Sequence, residues 1–170
     1  IDDDDRTELG SPYPDFEWGF NSDFTYHDFD FSFQFQGSHG AEVRVADLDQ
    51  LAYASESAVN ELSNFPDRDL TVHRRFTDDH IQDASFVALR NLSLGYTFPE
   101  DLSSRFNFSK LRLYVTGENL LFFTADGYDG FNPEAAGQTS SNANTPLTAG
   151  YQRGDGPVVK TISAGINFQF

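Results

Sequence analysis

Between Asp15 and Tyr26, large apolar side chains fall on every second residue. Phe16, Trp18, Phe20, Phe24 and Tyr26 hold even positions, while Asp15, Glu17, Gly19, Asn21, Asp23 and Thr25 hold the odd ones. A two-residue period places successive side chains on opposite faces of an extended chain, so this segment reads as a strand with one apolar face. After a very short reversal near His27 the pattern repeats. Phe29, Phe31, Phe33 and Phe35 alternate with Asp28, Asp30, Ser32, Gln34 and Gln36, and Gly37 and Gly40 are expected to break the run.

The alternation returns three more times. Leu92, Leu94, Tyr96 and Phe98 stand against Asn91, Ser93, Gly95 and Thr97, although Phe86 to Leu89 is apolar on both faces and Arg90 interrupts the apolar row. Leu111, Leu113 and Val115 oppose Arg112, Tyr114, Thr116 and Glu118. In the last run Val158, Ile162, Ala164, Ile166, Phe168 and Phe170 share one face, against Val159, Thr161, Ser163, Gly165, Asn167 and Gln169. Strands are therefore expected at about 15–26, 28–37, 84–98, 110–123 and 158–170. Each is longer than the ~5–6 residues usual in globular proteins.

The links between them alternate in length. His27 and the polar stretch Glu100 to Ser109 make short connections, whereas 38–83 and 124–157 make long ones. Leu48, Leu51, Ala52, Ala58, Val59 and Leu62 point to a short helix or two within the first long loop. A loop of that length is unusual inside a soluble domain. Long strands, short turns at one end and long loops at the other are the design of outer-membrane barrels, whose strands need ~9–11 residues to span the bilayer. The apolar face would meet lipid. The polar face, with Glu17, Asn21, Gln34, Arg112, Glu118 and Asn167, would meet a wet lumen. The short turns and the C-terminus would then be periplasmic, and loops 38–83 and 124–157 extracellular. Five strands do not close such a barrel, since bacterial ones begin at about eight. An open edge in lipid leaves backbone groups unpaired at several kcal/mol each. The expected fold is thus all-β: roughly the last five antiparallel strands of a larger transmembrane barrel.

Composition removes other classes. The 170 residues carry 11 Lys and Arg against 27 Asp and Glu, a net charge of −16 that repels nucleic acid. The 18 phenylalanines are foreign to disordered chains. Cysteine is absent, so there is no disulfide, thiolate metal site or cysteine nucleophile. No run approaches the ~18 apolar residues of a membrane helix. His27, His39, His73 and His80 form neither an HExxH motif nor an i, i+4 pair, and Gly-x-Ser-x-Gly is missing. No catalytic residue is therefore named, and no enzyme is expected. Asp2 to Asp5 lacks a glycine turn and reads as a solvated acidic loop. Asp126, Asp129 and Glu134, with Gly127 and Gly130, offer calcium a better oxygen cluster, but calcium wants roughly six to eight oxygens. No cofactor is expected, calcium being the weaker reading.

Several motifs occur together in order. They include Asp5-Arg6-Thr7 with Gly10, Pro14-Asp15-Phe16, Trp18-Gly19-Phe20-Asn21, Phe24-Thr25-Tyr26, Phe29-Asp30-Phe31 and Gln36-Gly37-Ser38-His39-Gly40. Ala84-Ser85-Phe86-Val87 follows, then Leu89-Arg90-Asn91-Leu92-Ser93-Leu94-Gly95-Tyr96-Thr97-Phe98-Pro99. Leu111-Arg112-Leu113-Tyr114-Val115, Gly117-Glu118-Asn119-Leu120 and Gly165-Ile166-Asn167-Phe168-Gln169-Phe170 complete the series. This series resembles the C-terminal region of SusC/RagA-type TonB-dependent outer-membrane transporters. The resemblance implies a barrel of roughly 22 strands with a plugged lumen. It also implies import of oligomeric nutrients, either oligosaccharides or peptides, beneath a SusD-like surface lipoprotein. Energy would come from TonB–ExbB–ExbD through the plug, which these residues do not include.

Candidate sites follow from this reading. Phe170, with Phe168 and Ile166, matches the aromatic terminal strand that the outer-membrane assembly machinery recognises. Tyr53, Tyr128, Asp129, Phe131 and Tyr151 lie on the long loops, where they would contact substrate or lipoprotein or pack the loops against each other. Trp18, Tyr26, Tyr96 and Tyr114 are candidates for the interfacial aromatic girdles. Residues 38–83 hold ten acids against four arginines, an acidic rim that disfavours anionic substrates. The competing readings are a siderophore-type TonB-dependent receptor and a soluble β-sandwich carbohydrate-binding module.

Overall fold

The computed structural model describes residues 7–46, 78–134, 149–152 and 156–170. The elements are β1 (Phe16–Tyr26), β2 (Phe29–His39), β3 (Glu42–Val45), β4 (Ile81–Asp83), β5 (Phe86–Thr97), the single-turn helix α1 (Glu100–Ser103), β6 (Lys110–Thr124), β7 (Tyr151–Gln152) and β8 (Thr161–Gln169). They divide into two compact units. One gathers 1–16, 38–86 and 124–157, and the other 17–37, 87–123 and 158–170.

The second unit contains most of a five-stranded sheet, in the order β1-β2-β5-β6-β8. Its register separates the two chemistries. β6 and β8 are antiparallel; Leu111 faces Phe168, Leu113 faces Ile166 and Val115 faces Ala164. The alternate pairs are Arg112 with Asn167, Thr116 with Ser163 and Glu118 with Thr161. A one-residue slip would mix the faces, so the side-chain pattern fixes the pairing. On β1 and β2, Phe20 meets Phe33 and Phe24 meets Phe31, with centroids 5.8 and 6.3 Å apart. This apolar face is uncovered: Phe20 is 54 %, Phe24 56 % and Ile166 59 % exposed. A water-soluble sheet would bury such a continuous apolar surface, whereas a lipid-facing one displays it.

Local chemistry sets the strand ends. His27 and Asp28 alone join β1 to β2, and His27 has φ 52°, the left-handed conformation that a two-residue hairpin demands. β2 does not stop at the first glycine. The Trp18 indole lies where a Gly37 side chain would be, so an aromatic ring fills the gap and the strand continues to His39. It ends at Gly40, whose φ is 89°. The link after β5 is α1 followed by a turn of 3-10 helix, Ser104–Phe106, closed by left-handed Asn107.

β5 runs unbroken through the stretch where the alternation is interrupted. Arg90 donates to Gln36 and Asn91 donates to Gln34, so adjacent residues of β5 reach the same face of β2. A second irregularity lies in β6. Asn119 is left-handed (φ 51°) and follows Glu118, the last β6 residue paired with β8. That explains why β8 begins at Thr161 rather than at Val158, where the alternation alone would start it.

The first unit carries a small sheet, in the order β4-β3-β7. β3 runs antiparallel to β4, with Val43 opposite Gln82, and parallel to β7, with Arg44 opposite Tyr151. Both long connections thus contribute strands to it. Ala41, Val43, Val45 and Ala84 form its buried core, against which Tyr128 packs. These strands have four, three and two residues, too few for alternation to announce them. The helices expected near residues 48–62 lie outside the described residues.

Candidate functional site

On the polar face of the large sheet, side chains from other strands hold Arg112 and Arg90. Asp30 of β2 receives Arg112 of β6 through two hydrogen bonds, from Nε at 2.9 Å and from Nη2 at 2.5 Å. The pair passes over Gly95 of β5, where a Cβ would collide with both partners. The Arg112 guanidinium also lies 5.2 Å from the centre of the Tyr114 ring, and that ring covers Gly165 of β8. Tyr114 therefore belongs to the polar face, not to an aromatic girdle. Of the other girdle candidates, Tyr26 is exposed at the end of β1, and Tyr96 lies between Phe29, tilted at 45°, and Phe98, edge-on at 74°, with centroids 4.7 and 5.0 Å away. Further along the same face Arg90 bonds Gln36 Oε1 at 2.8 Å and Asn119 Oδ1 at 3.0 Å, and lies over the Phe122 ring.

The C-terminal aromatic residues form a cluster that includes a residue the sequence did not single out. Phe108 lies 5.2 Å from Phe168 and 5.4 Å from Phe170, and Phe168 lies 5.5 Å from Phe170. Ser109 secures the same corner by donating to the Gln169 carbonyl from its backbone N–H and its hydroxyl. Ile166 sits one pair further along, opposite Leu113.

The first unit shows how the loop candidates are used. Tyr128 is half-buried, and its hydroxyl donates to Gln152 Oε1 at 2.7 Å. Gln152, 3 % exposed, donates in turn to the Pro133 carbonyl. Asp129 is held by Gln82, which accepts from the Asp129 N–H at 2.8 Å and donates to its carboxylate at 3.0 Å. Tyr151 supports the Arg44 guanidinium at 5.6 Å. Phe131 is 54 % exposed. Tyr53 lies outside the described residues. Tyr128, Asp129 and Tyr151 thus tie one loop to the other, while Phe131 presents its ring outward. Among the described residues no group of three or more His, Asp or Glu side chains converges as a metal site would require.

One trio the sequence did not bring together is Ser85, Asp83 and His39. The Ser85 hydroxyl donates to Asp83 Oδ1 at 2.5 Å and accepts from the Gly40 N–H at 2.9 Å. His39 Nδ1 lies 3.3 Å from the same oxygen. A hydroxyl has one proton, and here Asp83 takes it, so His39 can only donate. Hydrolytic triads need the opposite arrangement, with histidine accepting the serine proton. The cluster fastens Gly40 to β4 and offers no activated nucleophile.

Known proteins give the same picture. No protein-family model matches the chain. TonB-dependent receptor P3 of Formosa agariphila is 34 % identical over 175 residues, covering 98 % of this chain and 17 % of that protein. TonB-dependent receptor P26 of the same organism is 28 % identical, covering 100 % of this chain and 18 % of its own length. The chain therefore spans less than a fifth of the relatives it matches. Among solved structures, the RagAB peptide importer in its closed-closed state shares the fold with a TM-score of 0.73 at 22 % identity, over 95 % of this chain and 18 % of the other. Its open-open state gives 0.70 with the same identity and coverage. With its strands sorted into an apolar and a polar surface, the chain is similar over almost its whole length to a part of the TonB-dependent receptors and has the fold of the matching part of the RagAB importer.

Proposed function

We propose that this chain supplies wall, lumen surface and two outer loops to an importer of oligomeric nutrients, oligosaccharides or peptides, and performs no covalent chemistry. The observation that carries the reading is the register of β6 on β8, which sets a row of apolar pairs against a row of polar ones. A wall with lipid on one side and water on the other requires that separation. The likeness of fold to the RagAB peptide importer supports a lipoprotein partner of the SusD type. In this reading the C-terminus and the His27 turn are periplasmic. The connections 38–83 and 124–157 face outward, with Phe131 available to substrate or lipoprotein. Coupling to TonB–ExbB–ExbD runs through a plug contributed by the remainder of the receptor. The terminal Phe170, with Phe168 and Ile166, serves barrel assembly, and Phe170→Ala is expected to lower the yield of folded barrel.

The test is deletion of the complete receptor, followed by growth on oligosaccharides, on peptides or under iron limitation. Purification of a tagged receptor completes it. Loss of growth on one oligomeric nutrient, with a surface lipoprotein co-purifying, is the expected result. A defect confined to iron limitation would overturn the reading in favour of a siderophore receptor.

A further inference from the structure

Lys110 and Arg112 stand two residues apart on the polar face of β6, opposite Gln169 and Asn167 of β8. These residues, with Phe168 between Asn167 and Gln169, line a groove of about 260 Å³. The whole chain has a net charge of −16 and only two lysines, so a groove with two cations runs against its composition. Asp30 answers only part of that charge. It engages Nε and one Nη2 proton of Arg112, leaves the other guanidinium protons for a second acceptor, and balances one cation of the two. The carboxamides of Asn167 and Gln169 add neutral donors on the far wall.

We propose that this groove binds a carboxylate. Lys110 supplies a point charge and Arg112 a planar fork already fixed by Asp30, the combination that favours a small oxyanion. Pre-fixing the arginine reduces the rotamer entropy that binding would otherwise cost. Two sources carry this chemistry: an acidic side chain from elsewhere in the receptor lying inside the barrel, or a carboxylate on a passing solute.

The experiment uses the intact receptor in outer-membrane vesicles and a water-soluble carbodiimide, which joins an amine to a touching carboxylate as an amide with loss of water. Vesicles are treated alone and with a short glutamate-bearing oligopeptide, and the peptides joined to Lys110 are identified by mass. An amide to a receptor carboxylate outside these five strands assigns the internal source. An amide to the added peptide assigns the solute. In the second case Lys110→Gln is expected to weaken peptide binding about tenfold, with Lys110→Arg restoring it, since a charge-assisted hydrogen bond is worth that much. Lys110 left unmodified while Lys160 reacts, or joined only to Asp30, overturns the proposal. Heat-modifiable mobility of each variant on a gel establishes that the barrel has folded.

Discussion

Arg112 and Asp30 lie on strands that are not neighbours, and they meet over Gly95 of the strand between them. The arginine reaches past β5 because that strand offers no Cβ to obstruct it. Gly95→Ala should therefore separate the pair, at a cost of roughly 1–2 kcal/mol, the scale of a charge-assisted hydrogen bond in a partly solvated place. Asp30→Asn should cost less in the Gly95→Ala background than in the parent, because the interaction it removes is already broken. The measurement is the temperature at which the receptor loses its folded, heat-modifiable gel band. Additive shifts would show that Gly95 matters for another reason.

The two faces of β6 predict opposite tolerances for charge. Val115 pairs with Ala164 on the apolar side, and its neighbour Thr116 pairs with Ser163 on the polar side. Val115→Arg should cost about 2–4 kcal/mol if the strand is near the bilayer midplane, and Thr116→Arg close to nothing. Refolding titrations of the two variants into lipid vesicles compare them directly. Equal costs would contradict the assignment of faces.

The strands were legible because each has only two environments to sort its side chains into, and Phe, Leu and Ile mark one of them. What escaped the sequence depends on a neighbouring strand. Gly37 looks like a breaker until the Trp18 ring is seen in its place. The interruption at Arg90 was visible as a fault in the pattern, but that Arg90 and Asn91 bond Gln36 and Gln34 came only from the neighbouring strand. Asp30 and Arg112 are 82 residues apart, and nothing near either one names the other. On the loops, residue type drew attention to Tyr128 and Asp129, yet their partners Gln152 and Gln82 are polar residues of ordinary appearance whose role comes from burial and reach.

Asn119 separates backbone strain from hydrogen bonding. Its left-handed φ of 51° disfavours residues with a Cβ and no local polar bond, while its side chain accepts from Arg90 at 3.0 Å. Asn119→Gly loses the side-chain hydrogen bonds to Arg90 and the Val159 carbonyl but relaxes the backbone; Asn119→Ala loses the bonds and keeps the strain. The alanine variant should be less stable than the glycine variant by about 1 kcal/mol, reversing the usual preference for alanine within regular structure. Thermal loss of the folded band again reads the order. Alanine proving the more stable would mean that β6 straightens at this position.

Tyr128 tests whether the two long connections behave as one packed body. Its ring lies on the core of Ala41, Val43, Val45 and Ala84, and its hydroxyl is held by buried Gln152. Tyr128→Phe keeps the ring and removes one hydrogen bond, a loss of about 1 kcal/mol. Gln152 retains the Pro133 carbonyl as a partner, so the loops should hold. Tyr128→Ala removes the packing as well and should cost about 3 kcal/mol or more. Because this core is distinct from the five-stranded sheet, the loss should appear as faster proteolysis within 38–83 and 124–157 on intact cells, with heat-modifiable mobility unchanged. Loss of that mobility together with loop cleavage would show that the loop core and the barrel wall fold as a single cooperative unit.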